Sequence, residues 1–177
     1  MHKLARISLA VAAAATAFAA HADLSYTVKM QMIGPTSTGK ALGDVVITPG
    51  YQGKGVVFAT SLSGLPPGDH GFHVHQNASC GAAMKDGKME PGEAAGPHYD
   101  PQSTAKHAGP AGGGHKGDLP VLKVAANGKA AENITVDGLT WAELKGKSLM
   151  IHAGGDTYGE PPANGGGGAR IACGVIQ

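Results

Sequence analysis

The residues best suited to chemistry in this chain are histidines. His73 and His75 stand two apart in Gly71-Phe72-His73-Val74-His75. On an extended strand, positions i and i+2 face the same way, so both imidazoles can reach one ion. Alone, such a pair is more often a surface or packing feature than a ligand set. His152 ends Leu149-Met150-Ile151-His152, where a lone histidine is again more often structural. The intervening stretch is more specific. It reads Gly96-Pro97-His98-Tyr99-Asp100-Pro101, then Lys106-His107-Ala108-Gly109-Pro110, then Gly114-His115-Lys116-Gly117-Asp118. Three imidazoles and one carboxylate, spaced by glycine and proline turns, match the four N and O donors that zinc takes in a tetrahedron. A merely solvated polar loop has little use for three histidines.

Six of these histidines and Asp118 make seven donors. One four-coordinate site would leave three histidines unused. Two sites sharing one imidazolate would use all seven residues. Four nitrogens in a near-planar set favour Cu(II), and three nitrogens with one oxygen favour zinc. The count is compatible with a copper–zinc pair without establishing one.

The elements that must position these donors read as strands. Leu24, Tyr26, Val28, Met30 and Met32 alternate with polar residues. Further strands are expected at Gly43–Thr48, Gly55–Ser63, His70–Gln76, Leu119–Ala125, Ala131–Val136, Ser148–Ala153 and Arg170–Ile176. Turn signals separate several of them, among them Pro49-Gly50, Pro66-Pro67-Gly68 and Asn127-Gly128. The one helical hint is short, at Thr140–Lys145. The expectation is all-β: an eight-stranded antiparallel Greek-key β-barrel or sandwich. Two stretches lack a strand pattern, Asn77–Asp118 and Gly154–Ala169. Long structureless loops in a compact domain are usually functional or disordered. These two are expected to be ordered and functional, the first because it carries the histidines.

The chain of 177 residues suits one domain, and its 29 glycines and 11 prolines suit strands joined by turns rather than a helical bundle. Lys3 and Arg6 precede an Ala-rich apolar run, Ile7–Ala20, followed by Ala20-His21-Ala22. This is the pattern of a signal peptide over residues 1–22, and the run is too short for a good membrane span. The mature domain, 23–177, is then expected in the periplasm with no membrane anchor. It keeps 12 basic against 13 acidic side chains, a net charge of about −1 with histidine neutral. Nothing in that balance points to nucleic acid or an anionic membrane surface. Both cysteines, Cys80 and Cys173, lie in the mature part, where export permits a disulfide.

The segments Gly71–His75, Gly96–Pro101, Lys106–Pro110 and Gly166-Gly167-Gly168-Ala169-Arg170-Ile171-Ala172-Cys173-Gly174-Val175-Ile176 resemble the copper–zinc superoxide dismutase family, in its bacterial exported branch. The resemblance covers nearly all of 23–177. It implies one copper per chain on His73, His75, His98 and His152. It implies one zinc on His98, His107, His115 and Asp118, with His98 bridging. Asp156 matches an aspartate that links the two sites through ligand imidazoles. Arg170 matches the arginine beside the copper channel, so Arg170 and His98 are the implied catalytic residues. Cys80 and Cys173 match the family's disulfide, and His70 a buried structural histidine. The implied reaction turns superoxide into dioxygen and hydrogen peroxide, an antioxidant function. The family contains monomers and dimers, so a homodimer is one implied assembly. Thr157–Pro162 departs from the expected pattern at the channel rim. Lys85 and Lys88 read as solvated surface lysines. A copper-buffering protein would need neither zinc nor a channel arginine, and a zinc hydrolase would need an open zinc position and a general base. The Gly165–Gly168 run lacks the lysine and helix of a nucleotide loop, and Asn133-Ile134-Thr135 reads as a chance glycosylation triplet.

Overall fold

Alternation dictates the first strand. Tyr26, Val28 and Met30 are buried while Thr27 and Lys29 are exposed, so one face meets the core and the other meets water. The computed structural model describes residues 24–34 and 38–177, and the expected signal segment 1–22 lies outside them. Strands β1 (Tyr26–Ile33), β2 (Thr38–Pro49) and β3 (Val56–Ser63) form a meander. They are followed by β4 (Gly68–His70), β5 (Phe72–His75), β6 (Ala83–Lys85) and β7 (Lys88–Glu90). After the long histidine-bearing segment come β8 (Leu122–Val124), β9 (Lys129–Ala130), β10 (Asn133–Val136), β11 (Lys147–His152) and β12 (Arg170–Ile176).

All pairings are antiparallel. The main sheet runs β10-β3-β2-β1-β12-β11-β5, with β9 also on β3 and β4–β8 as a separate pair. The first strand thus lies beside the last, a return connection of the Greek-key kind. Because β4 leads directly into β5 and β8 leads through Asn127-Gly128 into β9, the small pair spans between the two ends of the main sheet. The curled sheet encloses Val28, Val45, Ile47, Phe58, Phe72, Leu122, Leu149 and Ile151 in one apolar core. Phe58 and Phe72 meet edge-to-face at 6.1 Å between centroids. Among the described residues no helix is long and apolar enough to cross a membrane.

The expected all-β Greek-key architecture is present. Three local expectations are corrected. The strand expected at His70–Gln76 is two strands in different sheets, broken at Gly71. The Gly71 N–H donates to Gly154 at 2.8 Å, and a Cβ there would sit 3.1 Å from the His73 ring. The Asn77–Asp118 segment is not free of strands, since β6 and β7 form a hairpin within it. Asp86 and Gly87 both take positive φ, 49° and 79°, the pattern of a two-residue hairpin turn. The helical hint at Thr140–Lys145 is a 3-10 turn, Trp141–Leu144, with Thr140 and Glu143 forming a capping box. Trp141 stacks on Tyr26 at 4.3 Å.

A disulfide joins Cys80 to Cys173 across 93 positions of sequence. It fastens the loop carrying β6 and β7 to β12, beside a small apolar cluster of Ile33, Ala95 and Met150. Closing so long a loop stabilises by about 4–5 kcal/mol in the chain-entropy picture. Replacing both cysteines by serine is therefore expected to lower the urea midpoint by about 2 M, this free energy divided by a slope of about 2 kcal/mol/M. A midpoint within error of the parent's would refute it.

Candidate metal centre

The donors come from four places on the chain. All four residues of β5 are buried, with Phe72 and Val74 in the core and His73 and His75 on the opposite face. On one side β5 pairs with β11, setting His73 opposite Met150 and His75 opposite Ser148. On its other side the long segment docks in short extended pieces. His75 bridges to His98 and His73 to Asp118. Val74 donates to Gly117 at 2.9 Å, and its carbonyl accepts from Tyr99 at 2.8 Å. The loop that looked structureless is therefore sewn to the barrel edge by backbone hydrogen bonds, and that sewing delivers His98 and Asp118. His152 ends β11 at a register shift, where it pairs with Arg170. Such a bulge re-aims a side chain.

Around this core six imidazoles and two carboxylates converge. Donor atoms of His73, His75, His98 and His152 lie within 4.8 Å of one another, and so do those of His73, His98, His107 and Asp118. Both groups share His73 and His98. His115 is outside the second group, yet its Nδ1 is 3.4 Å from Asp118 Oδ1. His98 is central, its ring 4.0 Å from that of His73, 4.9 Å from that of His75 and 5.4 Å from that of His115.

Hydrogen bonding assigns the protons. His73 Nε2 and His107 Nε2 donate to the two oxygens of Asp156, at 2.7 and 2.8 Å. His75 Nδ1 donates to the Gly96 carbonyl at 2.8 Å, and His152 Nδ1 to that of Gly168 at 3.1 Å. Carbonyls and carboxylates only accept, so each of these nitrogens carries the hydrogen. The other nitrogen of each neutral ring then presents a lone pair. Those nitrogens are His73 Nδ1, His75 Nε2, His107 Nδ1 and His152 Nε2, all buried and without a hydrogen-bond partner, as is His115 Nδ1. His107 Nδ1 is 3.0 Å from Asp118 Oδ2 but not aligned as a donor to it. Buried polar atoms are rarely left alone. Five inward-facing orphan nitrogens beside a buried carboxylate match what cations of the copper and zinc type require.

Electrostatics agrees. Burial holds His75 well below the usual imidazole range. Burial also lowers His98 to about 4, against its hydrogen bond with Asp118, and lowers His152 to about 3. These three rings are thus neutral at neutral pH, the state in which imidazole binds metal. Burial would raise Asp156 and Asp118. For Asp156 it is outweighed by the donors His73, His107 and Tyr158 N–H, and for Asp118 by His98, so both carboxyls are held below their ordinary value.

A cleft of about 850 Å³ opens onto the site, lined among others by Lys85, Glu93, His98, His152, Asn164 and Arg170. Arg170 donates from Nη1 to Gly92 at 2.6 Å and from Nη2 to Gly96 at 2.9 Å. Lys85 is an exposed surface lysine, as expected, and also lines this cleft. The divergent Thr157–Pro162 segment latches the rim. Tyr158 N–H donates to Asp156 at 2.7 Å, and Tyr158 Oη accepts from Val121 N–H at 2.8 Å. Sequence reasoning missed two acidic residues. Glu143 accepts from Tyr99 Oη at 3.0 Å, from Lys116 Nζ at 2.9 Å and from Thr140 N–H at 2.6 Å, holding down both flanks of the histidine loop. Its Thr-x-x-Glu capping pattern was a signal that could have found it. Glu93 carried no such signal.

A Greek-key β-barrel with a buried, carboxylate-linked histidine cluster at one sheet edge, opening through an arginine-lined cleft, defines a class of redox metalloproteins. Residues 41–176 match the family described as copper/zinc superoxide dismutase (SODC). A superoxide dismutase [Cu-Zn] of Brucella abortus is 52% identical over 165 residues, covering 91% of this chain and 92% of that one. The solved Cu/Zn superoxide dismutase from Brucella abortus superposes with a TM-score of 0.83 at 51% identity, covering 86% of this chain and 99% of that one. The solution structure of the monomeric copper, zinc superoxide dismutase from Salmonella enterica does so with a TM-score of 0.76 at 49% identity, covering 86% and 99%. The chain belongs to the copper/zinc superoxide dismutase family. Its activity is dismutation of superoxide, with copper and zinc as cofactors, as the resemblance in its motifs implied.

The neutral, buried rings carry a consequence for stability. An unfolded histidine titrates near 6.5, whereas His98 and His152 resist protonation until about 4 and 3. Below 6.5 the unfolded state of the metal-free protein binds protons that the folded state refuses, so stability falls with falling pH across this window. Each such histidine contributes up to about 1.4 kcal/mol per pH unit. Urea midpoints of metal-free protein are expected to drop steadily from pH 7 to pH 4.5. A flat profile would contradict the neutral assignment.

Proposed function

We propose that His73, His75, His98 and His152 hold copper, and that His98, His107, His115 and Asp118 hold zinc. The observation that carries this reading is the proton assignment: in His73, His75, His107 and His152 the outer nitrogen donates to an oxygen of the protein, and the inner one is left with a buried lone pair. His98 is the shared ligand, supported by its central ring, 4.0 Å from that of His73 and 5.4 Å from that of His115. Bound copper supplies the one-electron couple, while zinc has no redox chemistry.

The chain's own residues do the remaining work. Two superoxide anions and two protons give dioxygen and hydrogen peroxide. Arg170, at the cleft mouth, attracts and orients the anion. With Nδ1 turned to Asp118, His98 would take up a proton from solvent at Nε2 and pass it to the peroxide. Asp156 keeps the His73 and His107 rings turned so that their Nδ1 atoms face inward, the orienting role carboxylates play behind metal-bound histidines. Residues 1–22 are the signal peptide, and 23–177 act in the periplasm as an antioxidant defence. The disulfide supports that placement, since such bonds persist in oxidising compartments.

Two variants test the roles. Asp118→Ala is expected to lose most of its zinc and to increase protease cleavage within 97–119, the stretch sewn to β5. Full zinc occupancy by metal analysis would overturn the ligand set. Arg170→Ala is expected to keep both metals, to slow the reaction with superoxide at least several-fold, and to weaken its ionic-strength dependence. An unaltered rate and salt slope would remove Arg170 from the mechanism.

A further inference from the structure

Arg170 does not stand alone at the mouth of the cleft. Glu93 opens the 3-10 turn Glu93–Ala95, whose flanking glycines 92 and 96 supply the carbonyls that hold the guanidinium. The same carboxylate oxygen, Glu93 Oε2, lies 3.4 Å from Arg170 Nη2 and 3.5 Å from Lys85 Nζ. One anionic group thus sits between the two cations that face the approaching substrate.

Geometry separates charge from positioning. The directed bonds of Arg170 go to Gly92 and Gly96, at 2.6 and 2.9 Å. Its distance to Glu93 is longer than a good N–H···O bond. The guanidinium is therefore oriented by the backbone, and Glu93 adds chiefly its charge. The Lys85 contact is similarly long, and Lys85 is more than half exposed, so that pair contributes little to holding the loop. A carboxylate this close to a steering cation cancels much of its field at the distance from which an anion is drawn in.

We propose that Glu93 is an electrostatic brake at the cleft mouth, a residue that sets how strongly the site attracts small anions. This rests on the steering role of Arg170 given above. The field that gathers superoxide gathers every small monovalent anion, and partial neutralisation limits occupation of the cleft by anions that are not substrate. The cost is a slower encounter with superoxide.

Glu93→Gln keeps size and hydrogen-bonding capacity and removes the charge. In the copper- and zinc-loaded protein at low ionic strength, the rate with superoxide is expected to rise about two- to fivefold, within the range that local charges exert on association. The dissociation constant of azide, read from copper absorption, is expected to fall by a similar factor. Both differences should vanish at high salt, where the charges are screened. Metal content should match the parent. A rate and azide affinity equal to the parent's at low salt would overturn the brake. So would a slower rate, which would make Glu93 a positioning residue. Arg170→Ala, measured alongside, separates the two ideas. If it slows the reaction while Glu93→Gln changes nothing, the brake alone fails. If Arg170→Ala is without effect, the steering role fails with it.

Discussion

The buried carboxylate of Asp156 is the point at which barrel and loops become one site. Its two oxygens accept from His73 on β5 and from His107 in the long loop, while Tyr158 N–H reaches it from the rim. A buried carboxylate without partners would be costly, and one with three donors is held ionised. Its packing is equally exacting. A Cβ on Gly165 would overlap Asp156 Oδ1 and come within 2.6 Å of His107 Nε2, and φ there is +66°, so glycine alone suits the position. Remove this anchor and two rings from distant segments are free to turn their lone pairs away from each other.

The barrel supplies rigidity and the loops supply chemistry, and the seam between them is the edge of β5. An open sheet edge is ordinarily a liability, because its unpaired N–H and C=O groups invite other strands. Here the edge is covered by the chain's own histidine loop. The covering is stitched through Val74 to Gly117 and Tyr99, and each stitch sits one residue from a metal-binding candidate. Closing the edge and assembling the site are the same event. Glu143 secures the outside of that loop through Tyr99 and Lys116, so the seam is held from both faces.

What was legible in the sequence follows from the range of the forces involved. Strands with one wet face announce themselves by alternation, and β12 runs over the same residues the pattern implied, Arg170–Ile176. The His-x-His pair and the histidine-bearing motifs were legible because donor chemistry is local to the residue. The split at Gly71 was not, because a strand passing from one sheet to another keeps its alternation; only the tertiary contact with Gly154 reveals the break. The β6–β7 hairpin escaped because its strands are three residues each and largely exposed, too short for a periodic signal. Glu93 escaped for a different reason. Its importance lies in two cations, one eight residues away and one seventy-seven, and no local pattern encodes that meeting.

The last link joins charge at the mouth to geometry within. The Gly96 carbonyl accepts from Arg170 Nη2 and also from His75 Nδ1. One peptide group therefore orients both the guanidinium that lines the cleft and an imidazole that faces the centre. That peptide belongs to the turn whose Ala95 packs in the small cluster around the Cys80–Cys173 bond. The disulfide thus has a role beyond chain entropy. It fixes the turn, the turn fixes the carbonyl, and the carbonyl sets how two functional side chains stand relative to each other. A chain with a net charge of only +1 has little global field to draw in an anion. It depends on a local one, and a local field is only as reliable as the backbone that aims it.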